Sequence, residues 1–518
     1  MAGYLIGLDF GTESARGALL DAGSGEVVAS HVHRFRHGVL TRQLPAGPPL
    51  PSRWALQDPA DYLEAATEIL AAIGRGRTVE AVGLDFTASS PMPAAADGRP
   101  LSALRPLDPH AYVKLWKHAA AQRWAEEIGR RGGAFLENFG GRVSGEWLLA
   151  KAAQIAEESP ATWAAAERFL EAGDWLVWQL TGLERRSLGF AAYKAQYTPE
   201  AGYPGGAVPG LLERLVPPLP IGSPAGSLSG DWRARTGIAG PAVVAVAVID
   251  SHAVLPAVGG VTPGCLVSAL GTSAVHLLLS QERRPLPAGI EGMARDGSIR
   301  GLWCYEAGQA SFGDVLGWFA RTFPRAGDLE ESFRLYNREA AAVAPGESHL
   351  LALDWWNGNR VPHADSGLSG LLLGLTGETT SAQIYRALME SLCFGARNVA
   401  GRFEAGGFPI DRVVLTSGLA QSNPVLVQIM ADVLGREVEV PKIAHATAVG
   451  AAIHGAVAAG LVGGYAEGAA RFGARSAVRF GPRPEHAGVY RALYQQYAAL
   501  AESRATLEAM RTLNRTVA

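Results

Sequence analysis

Lysine is scarce in this 518-residue chain, and so are cysteine and net charge. Only five of the 46 basic residues are lysines, and the 49 acidic residues leave a net charge of -3. This balance excludes a strong global attraction to nucleic acid or to anionic membranes. The three cysteines, Cys265, Cys304 and Cys393, form no Cys-x-x-Cys pair, so neither a disulfide framework nor a zinc site is indicated. We expect buried thiols in a cytoplasmic protein.

The familiar nucleotide and metal motifs are absent as well. No Gly-Lys dipeptide occurs, which excludes a Walker-type lysine loop, and neither Gly-x-Gly-x-x-Gly nor His-Glu-x-x-His is found. Residues 251–281 contain no Asp, Glu, Lys or Arg, but Gly, Pro and His interrupt this stretch, so it predicts core strands and not a membrane span. Any nucleotide therefore has to be bound by another device.

Two stretches of the sequence share a strand, a Gly-Thr turn and a second strand. In GLDFGTESARG (7–17) the apolar run ends in Asp9 before the turn, and SALGTSAVHLLL (268–279) repeats the pattern in the second half. Turns of this kind present backbone N–H groups and a hydroxyl to an anion, so the two hairpins could bind a triphosphate while Asp9 holds Mg²⁺ through water. The alternative is that both are plain β-turns and that Asp9 only begins the first one.

Apolar strands alternate with helical segments along most of the chain, which predicts an α/β fold. Because the repeated hairpin stands at the start of each half, we expect two duplicated domains with a cleft between them. The predicted domains are 1–255 and 256–490, followed by a C-terminal helix and tail over 491–518. Within the first domain, the sequence also predicts a helix over 110–131.

Scarce lysines and strand-end acids supply further candidates. Lys114 and Lys117 flank Trp116, a pattern typical of a sugar site with an aromatic wall but equally of a solvated helix face. Asp250 ends the apolar strand VVAVAVID, and it either points into the cleft or caps the next helix. Asp85, in GLDFTASS, is another acid at the end of an apolar run.

Two histidines and two glycine-containing segments have less specific patterns. His252 and His276, on apolar segments, predict hydrogen-bonded core histidines and not ligands. The segments TSGLAQSN (416–423) and TAVGAA (447–452) each open a helix. Their glycines permit either the close approach of a flat adenine or simply tight packing of small residues.

Taken together, these residues resemble the FGGY carbohydrate kinases of the actin-like ATPase superfamily. GLDFGTESARG is similar to the first phosphate motif of that family, ALGTSAVH to its second, and LTSGLAQSNPVLVQIMADVLGREVEV to its adenosine region. More specific stretches are DFTASS, DPHAYVKLWKHAAAQ, CYEAGQ and LLALDWWNGNR, and the similarity extends from about residue 4 to 500. Ser417 stands in the adenosine loop where the family commonly has a second glycine.

The resemblance implies two ribonuclease H-like domains and a role for each matching residue. It implies Asp250 as the general base and Asp9 as the metal ligand. The implied sugar contacts are Ala88, Lys194, Asp250 and Glu306. The implied nucleotide contacts are Gly11, Thr12, Gly271, Thr272, Ser273, Gly418, Asn423 and Gly450.

The activity implied by the resemblance is phosphorylation of a sugar by ATP and Mg²⁺. The expected acceptor is the 5-hydroxyl of L-ribulose, in pentose (L-arabinose) catabolism. A sister kinase for another ketopentose or pentitol, such as D-ribulose or ribitol, is the nearest alternative, and an actin-like ATPase switch or an inactive sugar sensor is a more distant one. The expected partners are the sugar and ATP, without nucleic acid or membrane, and a homodimer is one possible assembly.

Overall fold

The computed structural model describes residues 3–516, which form two compact units, each discontinuous in sequence. The first unit comprises the chain up to Thr262, Met293–Cys304 and Ile443–Ala474. The second comprises Pro263–Gly292, Tyr305–Lys442 and the chain from Arg475 onwards. The α/β class is confirmed. The predicted domain bounds at 255 and 490 remain a proposal, and the compact units differ from them chiefly because Ile443–Ala474 belongs to the first unit.

The strands are numbered from the N-terminus. They are β1 (Tyr4–Phe10), β2 (Ser14–Asp21), β3 (Val27–Arg34), β4 (Leu56–Gln57), β5 (Val79–Phe86), β6 (Pro91–Ala94), β7 (Val113–Lys114), β8 (Arg168–Glu171), β9 (Pro224–Ser227), β10 (Val243–Ala245), β11 (Val248–Ile249), β12 (Cys265–Leu270), β13 (Ala274–Ser280), β14 (Gly292–Arg295), β15 (Trp303–Gln309), β16 (Leu351–Leu353), β17 (Leu371–Leu373), β18 (Arg412–Thr416), β19 (Val438–Pro441) and β20 (Ala477–Phe480).

The α-helices are numbered in the same way. They are α1 (Pro59–Gly74), α2 (Leu101–Leu104), α3 (Gln122–Arg131), α4 (Leu148–Glu158), α5 (Pro160–Ala165), α6 (Ala172–Thr181), α7 (Leu188–Ala195), α8 (Gly230–Thr236), α9 (Asp250–Ala257), α10 (Gly313–Thr322), α11 (Leu329–Ala342), α12 (Ser381–Ala405), α13 (Gly418–Ser422), α14 (Pro424–Leu434), α15 (Ala446–Ala458), α16 (Tyr465–Phe472), α17 (Ala487–Glu502) and α18 (Arg504–Thr516).

The first sheet has the strand order β3-β2-β1-β5-β10-β9, with β11 also paired to β5. Strand β1 is antiparallel to β2 and parallel to β5, and β5 is parallel to β11. The central strands β1 and β5 are buried along nearly their whole length. Because both faces of these strands are covered, their sequences, YLIGLDF and VEAVGLDF, are almost continuously apolar.

The second sheet repeats the hairpin of the first. Its strands β15, β13, β12, β18, β19 and β20 are neighbours in that order. Strands β12 and β13 are antiparallel around the turn at 271–273, as β1 and β2 are around the turn at 11–13. Strand β12 is also parallel to β18, just as β1 is parallel to β5. The predicted duplication of strand, Gly-Thr turn and strand is therefore confirmed.

The helix predicted over 110–131 is wrong in its first half. This segment forms a 3₁₀ turn, then the short strand β7, and becomes α-helical only at α3. Lys114 of β7 pairs with Leu56 of β4, and the Leu115 N–H donates to the Ala55 carbonyl at 3.0 Å. Pairing with a strand distant in sequence overrides the local helical pattern here.

The C-terminal segment consists of two helices, not one helix and a tail. Helix α17 ends at Glu502, and the backbone of the next residue, Ser503, is extended, with φ -65° and ψ 116°. The Ser503 hydroxyl then accepts the Thr506 N–H at 3.4 Å in the first turn of α18. An extended serine whose hydroxyl accepts a backbone N–H from the first turn of the following helix is an N-cap. Ser503 therefore ends one helix and begins the next.

Helix α15 packs directly on the first sheet with its backbone. A Cβ atom added to Gly7 of β1 would lie 1.6 Å from the Ala448 carbonyl oxygen, and one added to Gly83 of β5 would lie 1.6 Å from that of Ala451. A Cβ on Gly450 of α15 would lie 1.7 Å from the carbonyl oxygen of a residue in α9. These distances are far below van der Waals contact, so only glycine allows the approach.

The apolar-segment histidines are structural, as predicted. His252 Nδ1 lies 2.6 Å from Ser298 Oγ, and His276 lies between Ser268 Oγ at 2.8 Å and Gln309 Oε1 at 3.0 Å. Burial lowers the pKa of His276 to about 4, so its ring is neutral near pH 7. The three cysteines are buried and none is part of a disulfide, which confirms the prediction of buried thiols. Within residues 3–516, no helix combines the length and hydropathy needed to cross a bilayer.

Gly83→Ala should destabilise the first unit, because the added methyl group would overlap the Ala451 carbonyl and push α15 off the sheet. Overpacking costs about 1–3 kcal/mol or more, so the thermal unfolding midpoint should fall by several degrees. Gly488→Ala is the matched control, since a Cβ there, in the first turn of α17, meets no atom within 4 Å. Equal midpoints for the two variants would contradict the proposed packing.

Candidate active site

Three carboxylates of the first unit come together at one edge of its sheet. Asp9 and Asp85 occupy matching positions on the parallel strands β1 and β5. Asp250 follows β11, whose Ile249 is paired with Phe86 of β5. Because the carboxyl ends of parallel strands meet at the same edge, the fold collects the three acids where ligands of open α/β sheets commonly bind.

Asp85 has the most unusual environment of the three. It is fully buried, and neither carboxylate oxygen has a hydrogen-bond partner among the described residues. Burial, followed by the negative charges of Asp9 and Asp250, raises the pKa of Asp85 well above its ordinary value. The sequence carries a signal for this residue, because GLDF occurs at both 7–10 and 83–86.

Asp9 is mostly buried and has polar neighbours from two other elements. Thr447 Oγ1, in the first turn of α15, donates to Asp9 Oδ2 at 2.5 Å. Arg16 Nε of β2 lies 3.3 Å from the same oxygen. The sequence does not predict the contact with Thr447, because it joins positions 438 residues apart. It exists because α15 lies directly on β1.

Asp250 is the first residue of α9, and the N-cap is Ile249. The predicted capping position is therefore one residue away. The Ser251 N–H donates to Asp250 Oδ1 at 2.7 Å, and the helix dipole favours a carboxylate in this first turn. Asp250 is partly exposed, unlike Asp85. Its side chain is thus oriented by the helix and accessible from outside the core.

The first Gly-Thr turn uses part of its hydrogen-bonding capacity internally. The Gly11 N–H donates to the Ser14 carbonyl at 3.0 Å and closes the turn. Trp116 Nε1 donates to Thr12 Oγ1 at 3.0 Å, and Gln57 Nε2 donates to the Thr12 carbonyl at 2.6 Å. Trp116, a candidate for an aromatic sugar wall, therefore contacts the first Gly-Thr turn.

The second turn has the same internal closure in the second unit. The Gly271 N–H donates to the Ser273 carbonyl at 2.9 Å, and the Phe312 N–H donates to the Thr272 carbonyl at 2.8 Å. Gly271 and Thr272 are exposed, whereas Ser273 is partly buried. Both turns thus present their hydroxyl residues on a fixed backbone, an arrangement that suits an anion.

The predicted sugar contacts lie on different elements. In the first unit, Ala88 is partly exposed in the segment after β5, and Lys194 is largely buried in the last turn of α7, 6.0 Å from the Tyr193 ring centroid. In the second unit, Glu306 lies partly exposed on β15. Lys117, from the alternative lysine pair, is exposed. Lys114 is buried, has no hydrogen-bond partner within residues 3–516, and lies 4.1 Å from the Trp54 ring centroid.

Among the predicted adenosine residues, only Gly418 has an open side. It begins α13, and a Cβ there would meet no atom within 4 Å. Ser417 before it has φ 84°, a region that favours glycine, which gives a physical reason for the glycine common at this position in the family. Asn423 is instead a buried cap of α14: Oδ1 accepts the Leu426 N–H at 3.0 Å and Nδ2 donates to Asn337 at 3.0 Å.

Asn423 and Gly450 therefore have structural roles, which the sequence alone could not distinguish from nucleotide binding. Asn423 is 1% exposed and holds α14 in place. Gly450 belongs to the first unit and allows α15 to touch α9. These structural roles exist without a nucleotide, and the assignment of both residues as nucleotide contacts stays a prediction.

The carboxylate cluster fits a Mg²⁺ ion held largely through water. Within residues 3–516, no three His, Cys, Asp or Glu side chains are arranged to coordinate one metal ion directly. Mg²⁺ keeps several waters and commonly takes one or two carboxylates plus substrate phosphates. The unpartnered Asp85 carboxylate favours a positive charge nearby. Asp9 and its neighbour Asp85 are the residues that would hold the ion.

Comparisons with known proteins agree on one group of enzymes. Residues 266–459 match the FGGY family of carbohydrate kinases, C-terminal domain. The chain is 40% identical over 530 residues to the ribulokinase of Halalkalibacterium halodurans, covering 96% of this chain and 94% of that one. It is 39% identical over 527 residues to the ribulokinase of Mycolicibacterium smegmatis, covering 96% and 93%.

Solved structures of sugar kinases share the fold at low identity. The xylulose kinase of Rhodospirillum rubrum has a TM-score of 0.82 at 24% identity, covering 98% of this chain and 100% of that one. The glycerol kinase of Plasmodium falciparum, solved with ADP, has a TM-score of 0.80 at 12% identity, covering 97% and 99%. At these identities the likeness supports the fold alone.

Asp85→Asn should make the protein more stable in a metal-free buffer at pH 7. Folding the parent chain has to bury an unpartnered charge or bind a proton against the solution pH, and asparagine removes both costs while keeping the shape. We expect the thermal unfolding midpoint to rise by at least about 2 °C. Asp411→Asn, at an exposed acid, is the control and should leave the midpoint unchanged. A lower midpoint for Asp85→Asn would mean that the carboxylate stabilises the fold.

Proposed function

Because this chain belongs to the ribulokinase family of the FGGY carbohydrate kinases, we propose that it transfers the γ-phosphate of ATP to the 5-hydroxyl of L-ribulose. The product is L-ribulose 5-phosphate, an intermediate of pentose (L-arabinose) catabolism. The observation that carries this proposal is the convergence of Asp9, Asp85 and Asp250 at the carboxyl ends of three neighbouring strands. Phosphoryl transfer needs a base, a metal site and rigid alignment, and this arrangement offers all three.

Asp250 is the proposed general base for the sugar hydroxyl. Its position at the start of α9 and the hydrogen bond from the Ser251 N–H fix the direction of its carboxylate. In a loose transition state the hydroxyl proton leaves late, so an ordinary carboxylate can accept it. Asp250 also contacts the sugar in this proposal, because a base has to lie within hydrogen-bonding reach of the hydroxyl.

The proposed nucleotide contacts are the hydroxyl turns and the open start of α13. We assign Gly11 and Thr12 in the first unit and Gly271, Thr272 and Ser273 in the second to the phosphates, and Gly418 to the adenosine. Mg²⁺, held by Asp9 through water, would neutralise charge on the phosphates. Asn423 and Gly450 support the helices of this region, and their direct contact with the nucleotide stays a prediction.

The remaining proposed sugar contacts are Ala88, Lys194 and Glu306. Lys194 supplies a compact ammonium that can donate to several hydroxyls, and Glu306 supplies an acceptor. The small side chain of Ala88 leaves room for a ligand beside the segment that follows β5. A homodimer and a cytoplasmic location remain predictions of the same resemblance.

The function is tested by ADP release from Mg-ATP with L-ribulose, D-ribulose, ribitol or no sugar. We expect ADP release to depend on L-ribulose, with a 5-phosphate product identified by phosphorus NMR. Faster turnover of D-ribulose or ribitol would identify a sister kinase. ADP release independent of sugar would indicate an ATPase switch, and sugar binding without ADP release would indicate a sensor.

Asp250→Asn should lower kcat by about 10² to 10⁴, the usual contribution of a positioned general base. The amide keeps the shape and can still accept the Ser251 N–H, so the unfolding midpoint should change little. Asp231→Asn, at an exposed first-turn acid of α8, is the control and should keep full kcat. Normal turnover of Asp250→Asn would restrict this residue to a role in starting the helix.

Lys194→Ala and Glu306→Ala should each raise the KM for L-ribulose by about tenfold or more while changing the KM for ATP much less. The loss of one charged hydrogen bond costs about 1.5–3 kcal/mol, which corresponds to that factor. Lys117→Ala, at an exposed lysine, is the control and should leave both constants unchanged. Equal increases in the two KM values would argue for a structural role of Lys194 and Glu306.

A further inference from the structure

Two buried charged side chains form hydrogen bonds with the segment that follows β5. This segment, residues 87–90, contains the proposed sugar contact Ala88. Lys151 reaches it from α4, and Glu171 reaches it from the end of β8. Both side chains are at most 2% exposed, so neither is a surface contact.

Lys151 holds the backbone of this segment. Its Nζ donates to the Ser89 carbonyl at 2.7 Å, to the Leu115 carbonyl at 2.9 Å and to the Lys114 carbonyl at 3.2 Å. An ammonium group has three N–H donors, and three carbonyl oxygens accept them. The geometry therefore matches a charged lysine whose donors are all used within the protein.

Glu171 holds the other side of the same segment. The Ser89 hydroxyl donates to Glu171 Oε1 at 2.5 Å, and the Ser90 N–H donates to Glu171 Oε2 at 2.5 Å. Ser89 is thus fixed through its carbonyl by a cation and through its hydroxyl by an anion. The residue before it, Ala88, has its position set by these two bonds.

Lys151 and Glu171 interact electrostatically with each other and with Lys194. Burial lowers the pKa of Lys151 to about 7 and raises the pKa of Glu171, while the opposite charge of each partner counters the shift of the other. Lys194 also interacts electrostatically with both groups. Two of the five lysines in the sequence therefore belong to this one cluster.

Two buried charges of opposite sign are an expensive way to fill space. Hydrophobic residues of similar volume are often as stabilising or more so, because two charges lose their hydration on burial. Here the two charged side chains bind the same residue, Ser89, from opposite sides. Positioning of the segment that contains Ala88 explains them more specifically than packing does.

We propose that Lys151 and Glu171 are positioning residues of the sugar site, which fix Ala88 through Ser89. The inference rests on the proposed function and adds residues that do not touch the sugar. Its distinguishing consequence is that disturbing the Ser89–Glu171 bond weakens sugar binding without weakening ATP binding.

The test compares Ser89→Ala with Ser89→Thr and with Glu171→Gln. Ser89→Ala removes the hydroxyl donor, and Glu171→Gln removes the charge while keeping the shape. Each should raise the KM for L-ribulose by about tenfold, with the KM for ATP changed by less than about twofold. Ser89→Thr retains a hydroxyl and should restore most of the affinity. Lys151 is not replaced, because three buried carbonyls would lose their donor.

A double variant and a matched control make the test selective. The effects of Ser89→Ala and Glu171→Gln should not multiply when combined, because both act on the same contact: alanine lacks the hydroxyl, and glutamine has one acceptor oxygen for the two donors of Ser89 and Ser90. Ser159→Ala is the control, since its hydroxyl likewise donates to a carboxylate, Asp108 Oδ2 at 2.9 Å, in the first unit. It should change neither KM.

Calorimetric titration with L-ribulose in the absence of ATP measures the same effect without turnover. Tenfold weaker binding to Ser89→Ala, recovered in Ser89→Thr, supports the proposal, and the two serine variants decide it even if Glu171→Gln fails to fold. Unchanged sugar binding, or equal rises in both KM values, overturns it. If the parent protein binds L-ribulose but does not phosphorylate it, the proposed function fails while this comparison still stands.

Discussion

The contact between helix α15 and the first sheet is the constraint on which the candidate site depends. Glycines at positions 7 and 83 let the helix backbone touch β1 and β5, and no other residue would fit in the space available. Because the helix lies so close, its first turn brings Thr447 to the carboxylate of Asp9. The orientation of a proposed metal ligand thus depends on two residues that have no side chain.

The same unit keeps several charges in its interior, and they differ in how they are satisfied. Lys151 and Glu171 have hydrogen-bonding partners for their charged atoms, whereas Asp85 has none among the described residues. Satisfied groups rigidify their surroundings, while an unpartnered one stores a cost that a ligand can relieve. This contrast separates residues suited to holding the site in shape from a residue suited to responding to a cation.

Local sequence patterns predict the framework of the protein but not its long-range contacts. The apolar strands that end in GLDF and the repeated Gly-Thr turn predict the two hairpins, because a strand and its turn are decided within about ten residues. The strand at Lys114, the cap formed by Asn423 and the packing of Gly450 depend on partners far along the chain. The pattern around Lys114 fits a helix face as well as a strand. The patterns around Asn423 and Gly450 fit an adenosine contact as well as a structural role, so only the folded structure shows the strand, the cap and the packing.

The discontinuous composition of the first unit has a consequence for how the protein is made. Its last segment, Ile443–Ala474, contains the helix that covers β1 and β5, so the ribosome must synthesise residue 474 of 518 before that unit can be completed. Until then, the two almost entirely apolar strands β1 and β5 of the nascent chain lack the helix that covers them, and exposed apolar strands are prone to aggregation. In the order of synthesis, Asp9 of β1 therefore precedes its helix partner Thr447 by 438 residues.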